Sequence, residues 1–220
     1  MQRFLPKNDT MHRITILLYT LLVSCALFGQ EMQPIADTAA FEKALKDAAA
    51  KIESVESNFR QEKYMKVFSD KMTSTGMFYY RKPNKISLQY NKPMQYAVTI
   101  NGDKLQTVTA GKKTTVNLGS NKMMGQMKGL IEASMIGNIA ALDKEYDLHY
   151  FQSPTEYFVR ITPSSQSVKA YIKEIGIAFD KKTMSVKRLR MMENNDDYTD
   201  YIFTNPHYNT LHSDEKFTVR

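Results

Sequence analysis

Apolar and polar residues alternate with period two along most of this chain, and the departures from that rule locate its helices. The first departure follows Asp37-Thr38, a capping pair. In "AAFEKALKDAAAKIESV", Phe41, Leu45, Ala48, Ile52 and Val55 recur at spacings of three and four, which predicts one alanine-rich amphipathic helix. The period then changes to two. Strands are predicted around Phe59–Gln61, Met77–Lys82, Ile86/Leu88/Tyr90, Tyr96/Val98/Ile100, Leu105/Thr107/Thr109 and Thr114/Val116/Leu118. Gly76, Pro83-Asn84, Asn91-Lys92-Pro93, Asn101-Gly102, Gly111 and Gly119 punctuate them. Connections this short leave no room for crossover helices, so the strands form an antiparallel meander.

The second departure is "NKMMGQMKGLIEASMIGNIAAL", Asn121 to Leu142. It sets Met123, Met127, Leu130, Ile131 and Met135 on a helical stripe interrupted by Gly125, Gly129 and Gly137. A glycine inside a helix costs about 1 kcal/mol relative to alanine, so this helix is held by what it touches. Strands resume at Tyr146–Phe151, Tyr157–Ile161, Ile172–Phe179, Val186–Met191 and Tyr198–Phe203. A mostly irregular tail follows, with Phe217 pinned to the sheet. The expected fold is mainly β: a single curved antiparallel sheet of about 10–11 strands, forming an unclosed barrel with a helical lid or plug. Residues 31–37, with Pro34, read as an unstructured lead.

The N-terminus changes the picture of where this domain works. Arg3, Lys7, His12 and Arg13 precede the uncharged run "ITILLYTLLVSCALF", too short for a span of about 20 residues. A basic lead, a short apolar core and then Gly29-Gln30 describe a signal peptide over residues 1–30, leaving 31–220 as one domain in the periplasm. Cys25, the only cysteine, lies in "LVSC"; lipid anchoring there is the less favoured alternative, because the apolar run continues past it. The mature domain has no disulfide and rests on its core. The net charge of +7 falls to +5, with 27 basic and 22 acidic residues, once the leader is removed. These charges are interleaved and form no nucleic-acid-binding block.

Candidate chemistry is sparse. His12, His149, His207 and His212 sit in no metal-ligand spacing, and there is no nucleophile elbow, phosphate loop or dinucleotide turn. No catalytic residue, metal site or cofactor is expected; the chemistry is binding. Fourteen methionines and thirteen tyrosines without a tryptophan suit a soft, adaptable apolar surface. That surface would be the concave wall, with Phe59, Phe78, Tyr80, Ile86, Leu88, Tyr90, Tyr96, Val98 and Ile100 open or half-open beneath the methionine-bearing helix.

"NFRQEKY", "GMFYYRKPNKISLQYNKP", "INGD" and the closing "YIFTNPHYNTLHSDEKFTV" together resemble the periplasmic outer-membrane lipoprotein carrier family, LolA-type. The resemblance implies an unclosed barrel with a helical lid around a cavity for acyl chains. It further implies acylated lipoproteins as cargo, an inner-membrane lipoprotein-releasing transporter and an outer-membrane acceptor as partners, and a monomer. Related folds also serve as envelope sensors or accessory proteins that bind another lipid or an apolar protein segment, and that alternative stays open. The family commonly has arginine directly before the proline; here Lys82 stands there, preceded by Arg81. Alternation puts Lys82 on the face of Phe78 and Tyr80, at the rim, able to bind helix-end carbonyls or a lipid's polar part. Arg81 falls on the other face.

Overall fold

The computed structural model describes residues 32–120, 122–139, 142 and 146–219; the leader and Cys25 lie outside the described residues. Twelve strands form one sheet in the order β1-β8-β9-β10-β11-β12-β2-β3-β4-β5-β6-β7. All neighbours are antiparallel, and no pairing joins edge strands β1 and β7, so the barrel is unclosed. In chain order these are β1 (Gln33–Pro34), β2 (Ser54–Met65), β3 (Asp70–Arg81), β4 (Lys85–Lys92), β5 (Tyr96–Asn101), β6 (Lys104–Thr109), β7 (Lys112–Asn117), β8 (Tyr146–Gln152), β9 (Glu156–Pro163), β10 (Ile172–Asp180), β11 (Val186–Glu193) and β12 (Tyr198–Tyr208). Two meanders, β2–β7 and β8–β12, are joined where β12 returns to lie beside β2.

Among the described residues, three α-helices accompany the sheet: α1 (Thr38–Ala50), α2 (Lys122–Ile136) and the single turn α3 (Gln166–Lys169). The Asp37 carboxylate caps α1 by accepting from the Ala40 amide at 2.9 Å. The helix ends at Ala50, and Asn209 explains why. Its Oδ1 accepts from the Glu53 and Ser54 amides, while its Nδ2 donates to the Lys51 carbonyl, so the backbone turns into β2. Ile52 and Val55 therefore lie beyond the helix, and the face it buries is Phe41, Leu45 and Ala49 rather than Ala48. A second difference is β1: the lead is tied to the sheet, with Gln33 opposite Gln152 and Pro34 opposite Phe151.

Register builds the inner wall in rows. One row runs Phe203–Phe59–Gly76–Tyr90–Tyr96, the next Ser57–Phe78–Leu88–Val98, and the third Val55–Tyr80–Ile86–Ile100–Leu105. Gly76 is needed in the first. A Cβ there would collide with the Gln89 carbonyl and come within 2.9 Å of the Phe59 ring. The outer face carries polar networks and the tail, whose Phe217 is fully buried and accepts from the Asn101 side chain through its carbonyl at 2.9 Å.

Candidate functional site

Of the predicted wall residues, Phe59, Phe78, Tyr80, Ile86, Leu88, Tyr90 and Ile100 are each at most 8 % exposed and belong to one apolar cluster. Tyr96 and Val98 pack against it, half-buried. The structure thus brings all nine together. It corrects the expectation that they line an open or half-open interior. Leu130, Ala133 and Met135 of α2, with Ile139 and Leu142 after it, fill the trough, and Ile131 packs at its margin. Only about 20 Å³ remains between Met135 and Ile136 and the wall at Val55, Ser57, Phe78 and Phe203. The side chains of Met123 and Met127 lie outside the described ones.

Open space exists one step away, between the two helices. A cleft of about 510 Å³ is lined by Lys46, Ala49 and Ala50 from α1, by Gly129, Glu132, Ala133 and Ile136 from α2, and by Tyr80, Lys82 and Pro83 at the sheet rim. Pockets of a few hundred to a thousand Å³ accommodate small amphiphiles. Tyr80 forms part of the floor, so the cleft leads onto the wall rather than away from it.

The helix α2 separates cleft from trough, and its docking is poor in three ways. Gly125 and Gly129 sit in it with nothing within 4 Å of where a Cβ would be. Among the described residues, buried Ser134 Oγ has no hydrogen-bond partner, nor does Ser57 Oγ on the wall. Glu132 Oε1 is buried without a partner as well, and burial raises the Glu132 pKa above its ordinary 4.5, with Lys128 opposing and Asp103 adding to the rise. Each unsatisfied buried polar atom costs about 1–3 kcal/mol. Apolar contact holds α2 down, and its polar atoms oppose that contact. The helix stops at Gly137, whose φ of +75° and close approach to the Phe179 ring exclude a side chain.

A carboxyl with a raised folded-state pKa keeps a proton that the unfolded chain releases, so its contribution falls as pH rises from about 4.5 through the raised value. Carboxylates with lowered values, such as Asp196, held at about 2 by Lys66 and Lys173, act below that window. Glu132→Gln is therefore expected to stabilise the domain by about 1 kcal/mol at neutral pH and to remove the fall in stability as pH rises above the ordinary 4.5, as read by urea unfolding across pH.

The rim cations divide their labour by face. Lys82 Nζ donates to the Ala50 carbonyl at 2.8 Å and pairs with Glu53 at 2.9 Å, so it holds the C-terminus of α1. Arg81, one residue earlier, points to the other face and joins Lys85 on Asp214 of the tail. The lysine thus serves helix-end carbonyls, and on α1 rather than α2. Lys82→Met should cost about 1 kcal/mol in denaturant unfolding, with Lys82→Arg near neutral.

Tyr80 is pushed up to about 12 by burial, with Glu132 and Glu53 adding to the rise. Burial likewise raises Tyr90 and Tyr201, whose hydroxyls meet at 3.4 Å. None of them ionises near neutral pH, so the wall is uncharged. Sequence reasoning missed Glu132, Ser57, Ser134 and Asn209. A signal for Glu132 existed: it is the one acid in the run from Asn121 to Leu142.

The sheet is curved, unclosed and antiparallel, with an apolar inner wall beneath α2. The family model of the outer membrane lipoprotein carrier protein LolA matches residues 50–220, and the chain belongs to that family. No curated protein matches the sequence. Similar solved structures include a LolA superfamily protein from Nitrosomonas europaea, at 8 % identity and TM-score 0.43, covering 81 % of this chain and 97 % of that one. A Pseudomonas aeruginosa MucA/MucB complex is matched at 12 % and 0.46, covering 83 % and 61 %. The Mycobacterium tuberculosis lipoprotein LppX is matched at 12 % and 0.45, covering 81 % and 99 %. At TM-scores below one half these likenesses assign nothing to the chain; the family assignment rests on the sequence match. Among the described residues, no helix is long and apolar enough to cross a membrane.

Proposed function

We propose that this protein is a periplasmic carrier that shields the acyl chains of lipoproteins and ferries them from inner to outer membrane. An inner-membrane lipoprotein-releasing transporter would supply the cargo and an outer-membrane acceptor would take it. The observation that carries this reading is α2, a glycine-containing helix seated with unpartnered polar atoms in a trough whose wall is otherwise apolar.

The solvent sets the requirement. Each methylene buried is worth about 0.8 kcal/mol, so a chain of a dozen costs about 10 kcal/mol to expose. A carrier must recover most of that and still release its cargo without an energy source in the periplasm. An acyl chain entering between α1 and α2 would slide over Tyr80 and displace α2 from Phe78, Leu88 and Phe59. The helix then competes with the cargo for one wall, and the cost of its displacement lowers the net affinity enough to permit release. A permanently open pocket would hold the chain at full strength.

The test is displacement of a fluorescent fatty acid from the purified mature domain by a triacylated lipopeptide, alongside the same peptide without acyl groups. Displacement by the acylated form alone is expected. Displacement by both forms would favour the alternative, an envelope sensor or accessory protein recognising an apolar protein segment. No binding of the fluorescent fatty acid and no displacement would overturn the carrier reading.

A further inference from the structure

The β2–β3 hairpin is longer than its neighbours need. Pairing of β4 with β3 ends at Lys92 opposite Thr75, whereas β3 continues to Asp70 paired only with β2. At about 3.3 Å per residue, those five residues carry the ribbon some 16 Å past the end of β4. Its turn displays Val67, 86 % exposed, and Phe68, 69 % exposed. Met72 and Met94, also exposed, lie on the ribbon and on the neighbouring β4–β5 turn.

This tip is built. The Phe68 amide donates to the Met65 carbonyl and the Ser69 amide to the Lys66 carbonyl, with Ser69 at a φ of 49°. Lys66 is anchored twice to the β11–β12 turn: its amide donates to the Asp197 carboxylate at 2.8 Å, and its Nζ pairs with Asp196 at 2.8 Å. A fixed turn that holds two large apolar side chains in water needs a partner that removes them from it.

We infer that the Val67–Phe68 tip is a membrane-contact wedge, inserted into the interfacial region of a phospholipid bilayer. The charges around the tip choose a bilayer over a protein. Exposed Lys71 and Lys92 flank it and make no ion pair among the described residues. Asp196, which pairs with Lys66, is shared with Lys173. Aliphatic and aromatic side chains rimmed by lysines suit the headgroup boundary, where the chains bury and the ammonium groups meet phosphates. Met72 shares the inner face with Gly76, Phe78 and Tyr80 by alternation, separated from them by Ser74 opposite Gln61.

The chain contains no tryptophan, so Phe68→Trp installs a single reporter. On adding vesicles of phosphatidylethanolamine and phosphatidylglycerol, its emission should shift to the blue and be quenched by brominated acyl chains. Val116→Trp, at the exposed β7 edge, should change little. Val67→Ser with Phe68→Ser should lower vesicle co-sedimentation about tenfold or more, at unchanged unfolding midpoint. Unshifted emission from the Phe68→Trp variant, equal quenching at both sites, or lipid-free self-association abolished by the double serine variant would each overturn the inference. The vesicles carry no lipoprotein, so failure here is distinct from failure of the carrier reading.

Discussion

Leu130→Ala is expected to weaken the lipid-free domain and tighten its grip on an acyl ligand at the same time. Leu130 is fully buried on α2, against the wall that a ligand would occupy. Truncating a buried leucine costs about 2–5 kcal/mol, from lost transfer energy and the cavity left behind. In a protein whose helix and ligand compete for one surface, that loss falls on the closed state alone. Apparent affinity is the intrinsic affinity scaled by the cost of opening, so every 1.4 kcal/mol removed from the closed state gains up to tenfold. A fluorescent fatty acid titration should thus report binding tighter by at least about tenfold, while urea unfolding without ligand reports the destabilisation. A rigid core with no displaceable helix would show the second effect without the first.

Gly76→Ala should be the most damaging single change on the wall, with a loss of about 3–5 kcal/mol or failure to fold. The added Cβ meets a backbone carbonyl of β4, which cannot rotate away, and also crowds the Phe59 ring. Phe59 in turn lies 4.9 Å from the Tyr90 ring, edge to face, so the strain would spread along the row. In contrast to Leu130→Ala, no gain in ligand affinity should accompany it, because the wall itself is deformed. Circular dichroism melting and the same fatty acid titration separate the two variants.

Period-two alternation was enough to place β2 to β12, though not their ends: β3 starts at Asp70 rather than Met77, and Leu118 falls in a 3-10 turn after β7. Side chains on a strand point alternately whatever the strand's neighbours are. Phe59, Phe78, Tyr80, Ile86, Leu88, Tyr90 and Ile100 could be grouped for that reason. The end of α1 was less legible. Ile52 and Val55 keep helical spacing, and the residue that stops the helix, Asn209, lies more than 150 positions away. The two-residue β1 carries no periodicity, and only its partner β8 makes it a strand. The tip at Val67–Phe68 was hidden similarly, since exposure depends on where β4 ends.

The amino-acid order alone determined that this chain builds a curved sheet with one greasy face, two cations on opposite sides of one strand end, and a glycine-weakened helix between two meanders. Those features follow from local stereochemistry and need no neighbours. Whether the greasy face is vacant or occupied was decided only in three dimensions. Volume is a property of how far Leu130, Met135 and Ile139 reach toward Phe78 and Phe203, and no pattern along the chain records that distance.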